Sequence, residues 1–348
     1  MKRAFFTLLL LIGINFVLLA QNYDLSSKVY SHSLNGDIPS ALKLLEGLGE
    51  NLSEEDQLFK DEFELRFKEE MDQSDYLKDE NTPLTELHAM FRDYWRKSLL
   101  NPGENYMGEL GGKVVPFLMT NYPPIREVQF NRDSIGFYLS GYIHSLGLYT
   151  QEEVDVSGHL LDLMVWQNQS DTLYSFDVNG KELAIKVRRM RGFKTLGWRE
   201  YATLGTHYPG GWATTEALYM VEKAYDTNSE EFRVSFLAHE GMHYLDLKEF
   251  PDLENVDLEY RAKLSELSLA DSTMFELIEF FINNSDPNSE VPHSVANHRL
   301  INQLSLGIFK DEFNDDIEVW KRVSKSEINR VSKQLLFEDT SKKKELKK

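Results

Sequence analysis

No cysteine occurs anywhere in the 348 residues. That excludes disulfides, thiolate metal ligands and a lipid-bearing cysteine behind a leader, so any metal must be held by histidine and carboxylate. Basic charge is scarce: 38 Lys and Arg stand against 57 Asp and Glu, a formal net charge of −19. Such an acidic chain argues against nucleic acid or an anionic membrane surface as partner. The closing SKKKELKK, from Ser341, reads as a short solvated, frayed end and not as a binding arm. Apolar residues at 41% suffice for a real core, which excludes a disordered chain.

The first twenty residues, MKRAFFTLLLLIGINFVLLA, place two basic residues, a long apolar run and the small Ala20 in the order of a secretory signal peptide. An uncleaved membrane anchor is the competing reading. Either one makes the rest of the chain an exported protein, periplasmic or secreted. No membrane span is expected once the leader is removed, and losing Lys2 and Arg3 with it takes the charge to −21.

Periodicity predicts an α+β chain: a helical N-terminal region over 21–105, then a domain over 106–345. The latter divides into a small antiparallel β-rich part (165–225), metal-site helices (229–285) and C-terminal helices (293–338). In the first region Asp37, Ser53 and Thr82 stand where helix caps belong, and Leu84, Leu87, Phe91, Trp95 and Leu99 share roughly one helical face. Pro and Gly cluster in NPGENYMGELGG, 101–112, the expected boundary. Alternation in TLYSFDVNGKELAIKV, with Asn179-Gly180 between Val178 and Leu183, predicts a tight β-hairpin. ATTEALYMV, 213–221, is a further strand, and DLEYRAKLSELSLADSTMFELIEFFINN, HSVANHRLINQLSLGIF and DIEVWKRVSKSEINRVSKQLL read as helices.

Chemistry concentrates in FLAHEGMHYLDL, 236–247. The segment falls within a predicted helix, with Asn228 and Glu231 forming a capping box. Four residues advance a helix by about 400° and 6 Å, so His239 and His243 project from one face and can reach one ion. Glu240 lies about 100° round, placed to take a proton from a metal-bound water without ligating the metal. A catalytic zinc site needs a third protein ligand. Glu259 and Glu266 share a face of the next helix but are about 10.5 Å apart along it, so at most one binds the ion. Ala262, a turn after Glu259, allows close helix packing and favours Glu259. Asp246, three residues after His243, could take that imidazole's other nitrogen. His293, just before an expected Ser294 N-cap, is the choice for oxyanion donor, with Tyr260, Tyr208 and His298 as rivals.

The spacing His239-Glu240-x-x-His243, fifteen residues, then Glu259 in EYRA resembles the gluzincin zinc metallopeptidases over about residues 208–266. The resemblance implies a glutamate as third ligand and a strand at the cleft edge before the motif helix, a position YPGGWATTEALYMV occupies. The third histidine of metzincins is absent, since YLDLKEF follows His243. So is the N-E-x-x-S-D pattern: Asp257-Leu258 precede Glu259, and Lys263 stands four residues after it. Together these features imply an exported zinc peptidase acting on peptide or protein substrates. The alternative is an exported binding or scaffold protein whose metal site is inert or structural.

Overall fold

The computed structural model describes residues 25–48, 52–68, 82–127, 135–151, 156–157, 160–178, 181–289 and 291–347. The leader at 1–20 and the Asn179-Gly180 turn lie outside the described residues, as do the side chains of Phe176, Val178 and Leu183. The chain is α+β with a helical majority; the described residues include a small five-stranded sheet and a separate two-stranded pair. No helix among the described residues is long and apolar enough to cross a membrane. Two compact units are present, one of residues 25–169 and 190–209, the other of 170–189 and 210–347.

The first unit opens with helices α1 (Leu25–Leu34), α2 (Ile38–Glu46), α3 (Glu54–Lys68) and α4 (Pro83–Leu100). Their caps are the expected ones. Asp37 accepts from the Ser40 amide at 3.0 Å, Ser53 from that of Asp56 at 3.0 Å, and Thr82 from that of Thr85 at 3.3 Å. Leu87, Phe91, Trp95 and Leu99 of α4 are buried, while Leu84 is only partly so. The expected boundary at 101–112 is a turn only over 101–106; from Met107 it is the start of another helix. Helix α5 (Met107–Asn121) runs through Gly108, Gly111 and Gly112, and its Leu110, Val114, Phe117 and Leu118 enter the same core as α4. Each glycine costs a helix about 1 kcal/mol, but each buried apolar side chain returns about 1.5–3 kcal/mol, so burial wins. Helix α6 (Ile135–Ser145) and the short strands β1 (Tyr149–Thr150), β2 (Val156–Ser157) and β3 (Leu160–Leu161) follow. The long strands β4 (Met164–Val178) and β5 (Lys181–Leu196) begin and end in this unit, and the short α7 (Trp198–Ala202) completes it.

In the second unit the outer part of the β4–β5 pair is joined by β6 (Gly211–Ala213) and β7 (Leu218–Val221), in the sheet order β1-β4-β5-β7-β6. The segment read as one strand over 213–221 is therefore the turn and return arm of an antiparallel pair, with Trp212 opposite Tyr219 and Ala213 opposite Leu218. Thr214 closes the turn, its amide donating to the Ala217 carbonyl at 2.9 Å. Ile185 and Val187, alternating on β5, are buried with Leu218, Met220, Phe232 and Phe236.

The helices that follow are a π-helical turn (Phe232–Ala238) continuing into α8 (His239–Glu249), then α9 (Asn255–Leu269), α10 (Met274–Asn283), α11 (Pro292–Ile308), α12 (Ile317–Trp320) and α13 (Lys325–Leu346). The single helix read across α9 and α10 breaks at Ala270–Thr273. There the Glu230 carboxylate accepts from the amides of Asp271, Ser272 and Thr273 and from the Ser272 and Thr273 hydroxyls. The last predicted helix breaks at Ser324, which caps α13 by accepting from the Glu327 amide. The basic tail is not frayed. Helix α13 continues to Leu346, with Lys343 on Asp257 at 2.8 Å and Lys347 donating to the Glu249 carbonyl.

Candidate metal centre

Local chemistry aims the motif helix. The cap falls at Ser229, one residue past the expected Asn228: its hydroxyl accepts from the Phe232 amide at 3.0 Å, while Asn228 donates to Asp226 and Glu231 makes no cap. The widened π turn comes next, a feature common at functional sites. Its Phe232 and Phe236 rings stack, 5.6 Å apart, in the sheet-side core. Gly211 on β6 permits this approach. A Cβ there would fall 2.3 Å from the Tyr219 carbonyl oxygen and 2.5 Å from the Phe236 ring.

One turn later, His239 and His243 bring their Nε2 atoms to 3.0 Å of each other. The Glu259 carboxylate of α9 faces both, with Oε1 3.4 Å from His243 Nε2 and Oε2 3.8 Å from His239 Nε2. Donors held about 2.0 Å from one tetrahedral ion stand about 3.3 Å apart, so these three groups have metal-ligand spacing. All three are buried, and their ligand atoms lie within 4.8 Å of one another. Glu259 Oε1 is buried without a hydrogen-bond partner, and a cation would satisfy it. This buried His-His-Glu group could hold a metal ion.

The two glutamates of α9 take different positions. Glu266 Oε1 makes a short contact with His239 Nδ1, the nitrogen turned away from Glu259. That is the carboxylate–imidazole–metal arrangement, in which the outer carboxylate fixes the tautomer and leaves Nε2 as donor. Glu259 is thus in the ligand position and Glu266 behind the ligand.

Electrostatics fit donor roles. Burial, with repulsion from His243, holds His239 well below the usual histidine range, so its imidazole is neutral. Burial acts to raise Glu259, but His293 and Lys263 outweigh it and hold this carboxyl well below its usual range. Glu240 is only 1% exposed; burial and the nearby Glu259 and Glu266 push it well above the carboxylate range, and its Oε2 has no partner. Glu266 is pushed up to about 8 by burial, against the pull of Lys263 and the Ser235 hydroxyl, so it must give up its proton before it can accept from His239 Nδ1, a proton that metal binding would release.

His293 joins the group. It sits in the first turn of α11, which starts at Pro292 after Val291 and not at a Ser294 cap, and its Nδ1 is 2.7 Å from Glu259 Oε2. Its side chain is 25% exposed where those of Glu259 and both motif histidines are buried. Two rivals go elsewhere: His298 stacks on Phe313, and Tyr260 is covered by Arg299 and raised to about 12 chiefly by burial; Tyr208 falls in the first compact unit. Asp246 does not reach His243 Nδ1, which has no partner. It is held instead by Arg261, Nε to Oδ2 at 2.7 Å and Nη2 to Oδ1 at 2.9 Å. Arg261 Nη1 also binds Asp339 and Thr340 of α13, a partnership no local sequence pattern announces. Lys263, visible in the sequence only as a departure from the family pattern, lies buried with Nζ 3.0 Å from Glu259 Oε2.

Fold and site together define a mixed α+β protein with a buried, metal-capable His-His-Glu centre on two packed helices. Comparison with protein-family models, with curated proteins and with solved structures gave no match.

Proposed function

We propose that the chain is an exported zinc-dependent metallopeptidase of gluzincin-like design. One observation carries the reading: the His239, His243 and Glu259 donors converge while Glu240, one residue from a ligand, keeps a buried carboxyl oxygen without a partner. His239, His243 and Glu259 would hold the ion. Bound zinc supplies Lewis acidity towards a carbonyl and towards water. Glu240 takes and returns the proton, a role suited to a carboxyl held above its ordinary range. Glu266 keeps His239 in the ligand tautomer. His293 meets Glu259 through Nδ1, so its proposed help to a substrate oxygen falls to Nε2. Edge strand β6, ahead of the motif helix, stands where the family resemblance implies a peptide backbone would pair.

A second reading has an observation of its own. The three ligands and Glu240 are essentially inaccessible, which favours a closed, structural metal site in an exported binding protein. Glu240→Gln separates the two. A peptidase should keep its zinc, by elemental analysis, and lose about 10²–10⁴-fold in peptide hydrolysis. Full hydrolysis by a zinc-loaded Glu240→Gln protein would sink the mechanism. A zinc-loaded wild type inert towards a broad peptide library would favour the structural site.

A further inference from the structure

Lys263 is the only fully buried lysine among the described residues, and it sits among carboxyls. Glu259, Lys263 and Glu266 follow one another at i, i+4 and i+7, so they form one stripe of α9. The Lys263 ammonium lies 3.0 Å from Glu259 Oε2, with the Phe281 ring 5.5 Å away on its other contact. His293 Nδ1 meets the same oxygen at 2.7 Å. Both cation-capable groups therefore hold Oε2, and Oε1 is left without a donor, 3.4 Å from His243 Nε2. A buried carboxylate stripped of its partner is strongly destabilising, and in proteins that rely on a metal for that neutralisation, folding and loading become one event.

We propose that Lys263 is the internal counter-cation of this centre: it anchors Glu259 through Oε2, leaves Oε1 facing His243 Nε2, and keeps the fold independent of metal loading. This rests on the metal-centre reading above. Lys263 is a positioning residue, and replacing it transfers its neutralising task to the ion.

The test compares the full chain with Lys263→Met, Glu259→Gln and the double variant, by thermal unfolding in excess chelator and then by zinc titration. Lys263→Met should lower the metal-free Tm by about 5 °C or more, and adding Glu259→Gln should restore most of that loss, because no unpaired charge then remains. Zinc should bind Lys263→Met at least about tenfold more tightly than wild type, and raise its Tm further. A Lys263→Met chain that folds only with zinc is the same result in stronger form; Lys263→Arg, which keeps the charge, should then fold without it. Unchanged metal-free stability, or a double variant as unstable as the sum of the singles, overturns the inference. If wild type binds zinc but residues 259 and 263 show no coupling, this inference alone fails. If wild type binds no zinc, the metal-centre reading fails and takes the inference with it.

Discussion

At the scale of single residues, the centre separates groups that touch the ion position from groups that orient them. His243→Ala removes a donor and should abolish zinc binding in equilibrium dialysis. Glu266→Gln should weaken zinc by about 10–100-fold while the chain stays folded, because the amide still reaches His239 Nδ1 but no longer offers it a carboxylate. Equal zinc affinity in that variant would show that the contact does not tune the ligand. The histidine pair and Glu240 were legible in the sequence because helical spacing alone brings them together. For the third donor the small Ala262 favoured Glu259, and Glu259 is the one grouped with the two histidines; the place of Glu266 was not legible, since both glutamates lie on the same face of α9. What decides it is the side of the His239 ring each one meets, which depends on how α9 is set along α8.

Among elements, the contact that breaks a long helical pattern into α9 and α10 is also pH-sensitive. Burial acts to raise Glu230, but its hydrogen bonds from Ser272, Asp271 and Thr273 hold it down to about 2, below the ordinary 4.5. A depressed folded pKa contributes stability that is complete above the unfolded value and disappears as pH falls through the folded one. The Glu230 contribution is therefore present at neutral pH and lost as pH falls from about 4.5 to about 2. Glu230→Gln should cost about 1–2 kcal/mol at pH 7 and flatten the pH dependence in that window, as read from urea unfolding at pH 7 and pH 3. The hydrophobic pattern resumes at Met274 after only three polar residues, Asp271-Ser272-Thr273, too short a gap to announce the break by itself, and the partner that fixes it lies 41 residues away. Gly211 gives a second test at this scale. Gly211→Ala should destabilise by about 1–3 kcal/mol, since its methyl meets a carbonyl and the Phe236 ring.

For the whole molecule, the C-terminal helix is structural support for the centre. Arg261 joins Asp246 of α8 to Asp339 and Thr340 of α13, and Lys343 reaches back to Asp257. Helix α13 also buries Ile328, Val331 and Leu336. If the centre binds zinc as proposed, a chain ending at Ser324 should no longer bind it, measured by metal content after gel filtration; retention of stoichiometric zinc would show that the network does not support the site. Composition misread the tail because basic, sequence-terminal residues usually lie in water, and only tertiary placement brings them acidic partners. The α+β class and most helices of the second unit were legible, since their apolar repeats are long. The division into units was not, because it depends on where the β4–β5 strands pass and not on any linker composition. The π turn ahead of His239 has a further consequence for how this molecule can change. It acts as a phase adjuster: the widened turn lets Phe232 and Phe236 look towards the sheet while His239 and His243 look towards α9. Tightening it to ordinary α-helical winding at the same length would leave the histidine pair intact and rotate it by about 100° relative to the phenylalanines. Winding is thus constrained in this segment more tightly than identity: a change that keeps the residues but loses the widened turn would aim an unaltered motif away from its third ligand.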